Sequence, residues 1–205
     1  MLLNIHPDNP QPNKIAEAVK VLNKGGLIIY PTDTIYAIGA SSKSSRALEN
    51  LARFKKVKLE KANFSFVFKD LSHLSEYTRQ FDTSIYKLLK KTLPGPYTYI
   101  LEANNSIGKI FRNKKRSIGI RIPDNNIVQE LVNELGHPMI STSLHLEDEI
   151  LEYPTDPELI YEEYMNQVNA VINGGYGGNI ASTIIDLTSG IPEVIRNGKG
   201  QYFSD

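Results

Sequence analysis

Cysteine is absent from the 205-residue chain. That excludes disulfides, thiolate metal sites and a cysteine nucleophile, and fits the usage expected of a cytoplasmic protein. No apolar run approaches the roughly 18 residues of a membrane span. The opening stretch, Met1 to Lys14, lacks a basic region followed by a long apolar core, so no signal peptide is read there and no membrane partner is expected. Several catalytic signatures are missing as well. There is no G-x-x-x-x-G-K-[ST] loop, no G-x-G-x-x-G after a strand and no G-x-S-x-G elbow. His6, His73, His137 and His145 show no metal-ligand spacing, so no dedicated metal residues are assigned.

What is present reads as one layered domain over residues 1–205, with a core from about 10 to 200. Ile15, Ala18, Val19 and Leu22 recur at helical spacing before Gly25-Gly26. Leu27 to Tyr30 reads as a strand, and 44–54 as a helix. Residues 64–68, from Tyr97 and from Ser117 read as strands. Asp82 and Asp124 are placed as caps of two helices, the second ended by Gly136. Residues 139–143 form another strand, and Pro157 opens a helix to about Gln167. Three short strands, beginning near Asn169, Ser182 and Glu193, close the chain. Interleaved helices and strands imply an α/β (α+β) fold, a twisted sheet with flanking helices.

Net charge is zero, with 23 Lys+Arg against 23 Asp+Glu, but the signs are segregated. Six Lys/Arg and no acid lie between Lys109 and Arg121, and five bases between Arg53 and Lys61 oppose Glu60 alone. Eight acids and no Lys/Arg fall between Leu146 and Tyr164. A polarised neutral protein can offer a basic surface to an anion. Hydroxyls and arginines also recur where strands stop: Thr32 to Thr34, Thr98, Arg121, Ser141 to Ser143, Ser182 and Arg196. Ligands collect at strand ends in open sheets. Two arginines among hydroxyls suit a ligand carrying carboxylate or phosphate.

Seven stretches then carry a resemblance: GGLIIYPTDTIYAIG, LPGPYTYIL, IGIRIPDN, PMISTS, VINGG, STIIDL and EVIRNGKG. Their order, from about Leu3 to Gly200, resembles the YrdC/YciO family, the threonylcarbamoyl-AMP synthase superfamily. The opening IHPDNPQ and the STS triplet look more like its YciO branch. The resemblance implies a YrdC-like domain with a concave basic surface. It implies a nucleotidyltransferase that converts L-threonine, bicarbonate and ATP into threonylcarbamoyl-AMP and pyrophosphate, for the t6A modification of tRNA adenosine 37. It assigns Thr32, Arg121 and Ser182 to threonine. Thr98, Ser143, His145, Lys55 and Arg196 go to the ATP side, with Lys55 and Arg196 as the catalytic cations. Magnesium is implied with the triphosphate. Asp33 and Thr34 either brace the loop or take part.

Two positions depart from the family pattern. The arginine of K-x-R falls on Val57, or on Lys56 or Lys58 if the loop shifts, and S-x-N becomes Ser143-Leu144-His145. A lost arginine removes bidentate phosphate contact. Val57→Arg with His145→Asn is therefore expected to raise turnover. The family's association with double-stranded RNA supplies the alternative reading, a weakly catalytic or non-catalytic protein that binds tRNA or double-stranded RNA through Lys114, Lys115 and Arg116. On that reading the triple alanine variant weakens RNA binding and flattens its dependence on salt. A filter-binding series with an unchanged salt slope would clear the segment of that role.

Overall fold

The molecule, seen in a computed structural model, is described for residues 1–111, 116–144 and 154–202. The first elements are β1 (Leu2–Asn4), α1 (Pro12–Asn23), β2 (Ile28–Tyr30), β3 (Ala37–Ser41) and α2 (Ser45–Phe54). Then come β4 (Ser65–Val67), α3 (Thr83–Thr92), β5 (Tyr97–Glu102), α4 (Asn105–Phe111) and β6 (Ser117–Arg121). The remainder comprises α5 (Asn126–Leu135), β7 (Met139–Ser143), α6 (Pro157–Tyr164), β8 (Ala170–Asn173), β9 (Thr183–Asp186) and β10 (Glu193–Arg196).

The ten strands of the described residues join one mixed sheet in the order β1-β8-β2-β3-β7-β4-β6-β5-β9-β10. The expected α/β class is thus the observed one. β1, β3 and α4 went unread: the three residues of β1 show no period, the mostly small residues of β3 do not alternate, and Asn105, Ser106 and Gly108 dilute the apolar stripe of α4. Both caps also differ: Asp82 stands at the N-cap of α3, but its side chain makes no capping hydrogen bond among the described residues. Asn125, not Asp124, caps α5 by accepting from the Val128 amide at 3.1 Å. Asp124 instead donates its own amide to Asp33 Oδ2 at 3.2 Å.

The two faces of the sheet are covered unequally. One carries Ile38, Phe66, Tyr99, Ile118, Ile120, Ile140 and Ile185, and buries them under α2, α3, α4 and α6. The other carries Ile28, Tyr30, Ala37, Val67, Met139, Ala170 and Ile172, packed against α1 and α5. Those two helices shelter one end of this second face, and the rest is open to a ligand.

The end of α2 shows how local chemistry places a functional side chain. Lys56 adopts φ 54°, the Lys56 amide donates to Arg53 O at 3.0 Å, and the Val57 amide donates to Ala52 O at 3.0 Å. That pair of bonds is a Schellman motif, and Val57 supplies its hydrophobic contact by packing on the core. The motif presents Lys55 as the last residue before the left-handed turn. It also overturns the expectation for Val57→Arg, because the valine belongs to the core side of the turn. Lys56→Gly should stabilise the fold by about 1 kcal/mol, since glycine adopts positive φ freely. Val57→Arg should destabilise it by about 1 kcal/mol or more through lost packing, without a gain in turnover. Urea midpoints for the two variants check both signs.

Candidate functional site

Side chains alternate across a strand, and paired residues share a face. Gly39 pairs with Ser141, Ser141 with Ser65, and Ser65 with Gly119. Ala37 pairs with Ser143, and Thr98 with Ile184. The open face of the sheet is therefore paved with glycine, serine, alanine and threonine where the opposite face carries Phe and Ile. The result is a cavity of about 430 Å³. Lys55, Asn63, Ser65, Thr98, Arg121, Ser143, Ser182 and Arg196 are among the residues lining it, and among the described residues no Asp or Glu does. At Gly119 a Cβ would come within 3.0 Å of Ser65 Oγ, which keeps that part of the floor flat. At Gly39 the space of a side chain is filled by the Tyr30 ring, whose hydroxyl donates to Ser141 Oγ at 2.6 Å. The lining takes in the first residue of β4, the last of β6 and the last three of β7.

At one end Arg121 is buried and held from behind. Its Nη2 donates to Asp33 Oδ1 at 2.8 Å and to Thr34 Oγ1 at 3.1 Å. Thr34 and Thr32 hydroxyls lie 3.0 Å apart, and Thr32 donates to the Ile35 carbonyl at 2.7 Å. Each hydroxyl has a single proton, so the chain runs from Arg121 through Thr34 and Thr32 to the main chain. Thr32 is consequently turned into its own loop and does not line the cavity, whereas Thr34 does. The Arg121 Nε–H is buried without a hydrogen-bond partner among the described residues. An orphaned buried donor costs about 1–3 kcal/mol, a cost that an incoming acceptor removes.

The other cations are placed by separate devices. Lys55 Nζ donates to Ser143 O at 3.3 Å. Thr98 and Ser182 hydroxyls meet at 2.8 Å, and Arg196 donates through Nη2 to Ser182 O at 2.8 Å. Arg196 reaches this face through a bulge: Val194 pairs with Ile185 and Arg196 with Ile184, leaving Ile195 as the extra residue. A bulge of this kind re-aims the following side chain. Lys56 and Lys58 line a different, shallower cavity with Glu49 and Arg53, so neither fills the place of the missing arginine. Arg116 is exposed just before β6. Lys114, Lys115 and His145 lie outside the described residues.

Sequence reading missed Asn63 and Ser65 as lining residues and left Thr34 open; Thr34 both bonds Arg121 and lines the cavity. Strand alternation would have found Ser65, because F-S-F and I-G-I-R place small residues on the face opposite the aromatic and aliphatic ones. Nothing in the sequence marks Asn63, which precedes β4 in an irregular segment. A second cavity of about 340 Å³, with Lys43, Phe68, Asp70, His73 and His137 among its lining, contains none of the expected site residues.

Comparison with known proteins bears on this arrangement. The Sua5/YciO/YrdC family model, described as "Telomere recombination", matches residues 20–198. The chain belongs to that family. It is 41% identical over 197 residues to an uncharacterized protein of Haemophilus influenzae, covering 96% of this chain and 94% of the relative. It is 41% identical over 198 residues to Escherichia coli YciO, again 96% and 94% of the two chains. The crystal structure of E. coli YciO superposes with a TM-score of 0.89 at 40% identity, over 98% of this chain and 97% of that one. P. abyssi Sua5, crystallised in complex with L-threonine, superposes with a TM-score of 0.86. At 22% identity, over 97% of this chain and 57% of Sua5, that match shows the fold.

The floor of the site has a measurable signature at high pH. Burial pushes the Tyr30 phenol from 10.0 up to about 12, against the lowering effects of the Ser141 hydrogen bond and the Arg121 charge. Tyr36 and Tyr99 are raised to about 12, also chiefly by burial. A phenol that ionises later in the folded than in the unfolded chain contributes stability in full below about pH 10 and loses it as pH rises towards 12. Chemical denaturation across pH 9–12 should show stability falling through that window. Tyr30→Phe should remove on the order of 2–3 kcal/mol of the fall. An unchanged slope in that variant would contradict the burial argument.

Proposed function

We propose that this protein is a threonylcarbamoyl-AMP synthase-like enzyme using L-threonine, bicarbonate and ATP. The observation that carries the reading is the meeting of Arg121, Arg196 and Lys55 with Thr98, Ser143 and Ser182 around one cavity on the small-residue face of the sheet. The fold shared with a Sua5 that was crystallised with L-threonine supports it. Threonine places its carboxylate on Arg121, where the buried Nε–H lacks an acceptor. Its amine condenses with bicarbonate, losing water, to give N-carboxythreonine. The new carboxylate oxygen attacks the α-phosphorus of ATP as the bond to the β-phosphate oxygen breaks, and pyrophosphate leaves.

No protein nucleophile is required. Positioning in the cavity and cancellation of negative charge by Lys55 and Arg196 supply the catalysis. Among the described residues the cavity lining offers no carboxylate to a divalent cation, and there is no group of three or more His, Asp or Glu suited to a metal. A magnesium ion would enter with the nucleotide, on phosphate oxygens. Without a guanidinium at Val57, Lys56 or Lys58, the phosphate end carries less charge than the K-x-R pattern provides. A slower adenylate-forming step follows. The product would serve tRNA t6A modification.

Purified protein supplied with L-threonine, bicarbonate and ATP should release pyrophosphate and threonylcarbamoyl-AMP in equal amounts. Omitting threonine or bicarbonate should abolish both. Arg196→Ala should lower kcat roughly 100-fold. Arg121→Lys, which keeps a charge beside Asp33, should chiefly raise KM for threonine. A folded protein that yields no adenylate under these conditions would overturn the assignment.

A further inference from the structure

A cavity with three cations in its lining faces a sorting problem. Guanidinium groups grip carboxylate and phosphate with the same two-pronged geometry. Shape alone would let a phosphate occupy Arg121 and a carboxylate occupy Arg196. The Arg121 end of the cavity is defined by what lies behind its cation. Arg121 is backed by a buried acid, with Asp33 Oδ1 2.8 Å from Nη2 and both side chains about nine-tenths buried.

Asp33 is itself fixed. Its Oδ2 accepts the Asp124 amide at 3.2 Å, and its carbonyl accepts from Lys199 Nζ, which ties the segment after β10 to this loop. The Asp33 carboxylate cannot swing away when a ligand arrives without giving up the Asp124 amide as well as Arg121. The Nη2 corner of the guanidinium is consumed by Asp33 and Thr34. The remaining donors include the buried Nε–H, so one edge is presented.

We infer that Asp33 is a positioning and selectivity residue that makes Arg121 a subsite for a monoanionic carboxylate and excludes phosphate. This rests on the reading that Arg121 meets the threonine carboxylate. Asp33 orients the guanidinium by holding one corner and offsets its charge. The residual attraction suffices for one negative charge hydrogen-bonded to a dry donor. A phosphate carries about 1.5 to 2 negative charges at neutral pH and meets correspondingly more repulsion from the fixed carboxylate. Carboxylate and triphosphate therefore bind in a single orientation along the cavity, with the phosphates at the Arg196 and Lys55 end.

The test is competition between L-threonine and inorganic phosphate, read by calorimetry on the full chain. In the wild type, added phosphate should leave threonine affinity unchanged. In Asp33→Asn, phosphate should compete and weaken the apparent threonine affinity about tenfold or more. Asp33→Ser, which keeps an acceptor for the Asp124 amide, carries the same expectation should the asparagine variant fold poorly. In the wild type, the Arg121 Nε–H NMR resonance should shift with threonine and stay in place with phosphate, a readout that needs no variant. A neutral Asp33 variant that loses threonine affinity without gaining phosphate sensitivity shows a merely structural residue and overturns the inference. So does a wild type whose Nε–H responds to phosphate as it does to threonine. A wild type that binds no threonine at all overturns the proposed function first, and this inference with it.

Discussion

A β-strand can show its neighbours only two faces, and this molecule uses that restriction to divide packing from binding. Around the cavity, the odd steps of β4, β6 and β7 include Ser65, Gly119, Ser141 and Ser143, and the even steps include Phe66, Ile118, Ile120 and Ile140. Large side chains on one face anchor four helices, and small ones on the other leave room that helices do not fill. A one-residue slip in any of these strands would exchange the two sets, so the register that stabilises the core also keeps the cavity open. Tyr30 belongs to both arrangements. Its ring is buried among the residues packed on α1 and α5, while its hydroxyl steadies Ser141 on the cavity floor.

On this neutral floor the charged groups come from the margins. Arg121 ends a strand and is braced by the loop after β2. Lys55 ends a helix. Arg196 ends the edge strand β10. Three unrelated local structures thus converge, and each has its own stabilising contacts: an acid pair, a Schellman turn and a bulge. Burying a charged pair brings little net stability to a fold, since desolvation offsets most of the attraction. The Asp33–Arg121 pair is better understood as fixing a geometry than as holding the domain together.

Much of this could be read in the sequence, for identifiable reasons. Helix α1 announced itself by apolar spacing and its glycine stop, and strands β5 and β7 by β-branched and aromatic runs. Asp124 and Asn125 were indistinguishable as caps, because both residue types accept amides equally well; only the tertiary bond from Asp124 to Asp33 separates them. Arg121, Ser182, Thr98 and Arg196 were legible as polar groups beside apolar runs, and they do line one cavity. Thr32 and Thr34 could not be told apart, since which hydroxyl faces the cavity is set by a loop conformation that the sequence pattern does not encode. Val57 looked like a missing ligand group because motif spacing counts residues and cannot see a left-handed turn between them.

The bulge in β10 ties the electrostatics of the cavity to the least protected part of the sheet. Every residue of β10 is exposed, and the strand has a neighbour on one side only. Edge segments of this kind open with small free energies, independently of the global transition. When β10 peels from β9, the extra residue at Ile195 no longer sets the phase of the strand, and the Arg196 guanidinium leaves with it. Arg121, seated on an interior strand, stays where it is. The two arginines therefore belong to different units of cooperativity, Arg121 to the interior of the sheet and Arg196 to its margin.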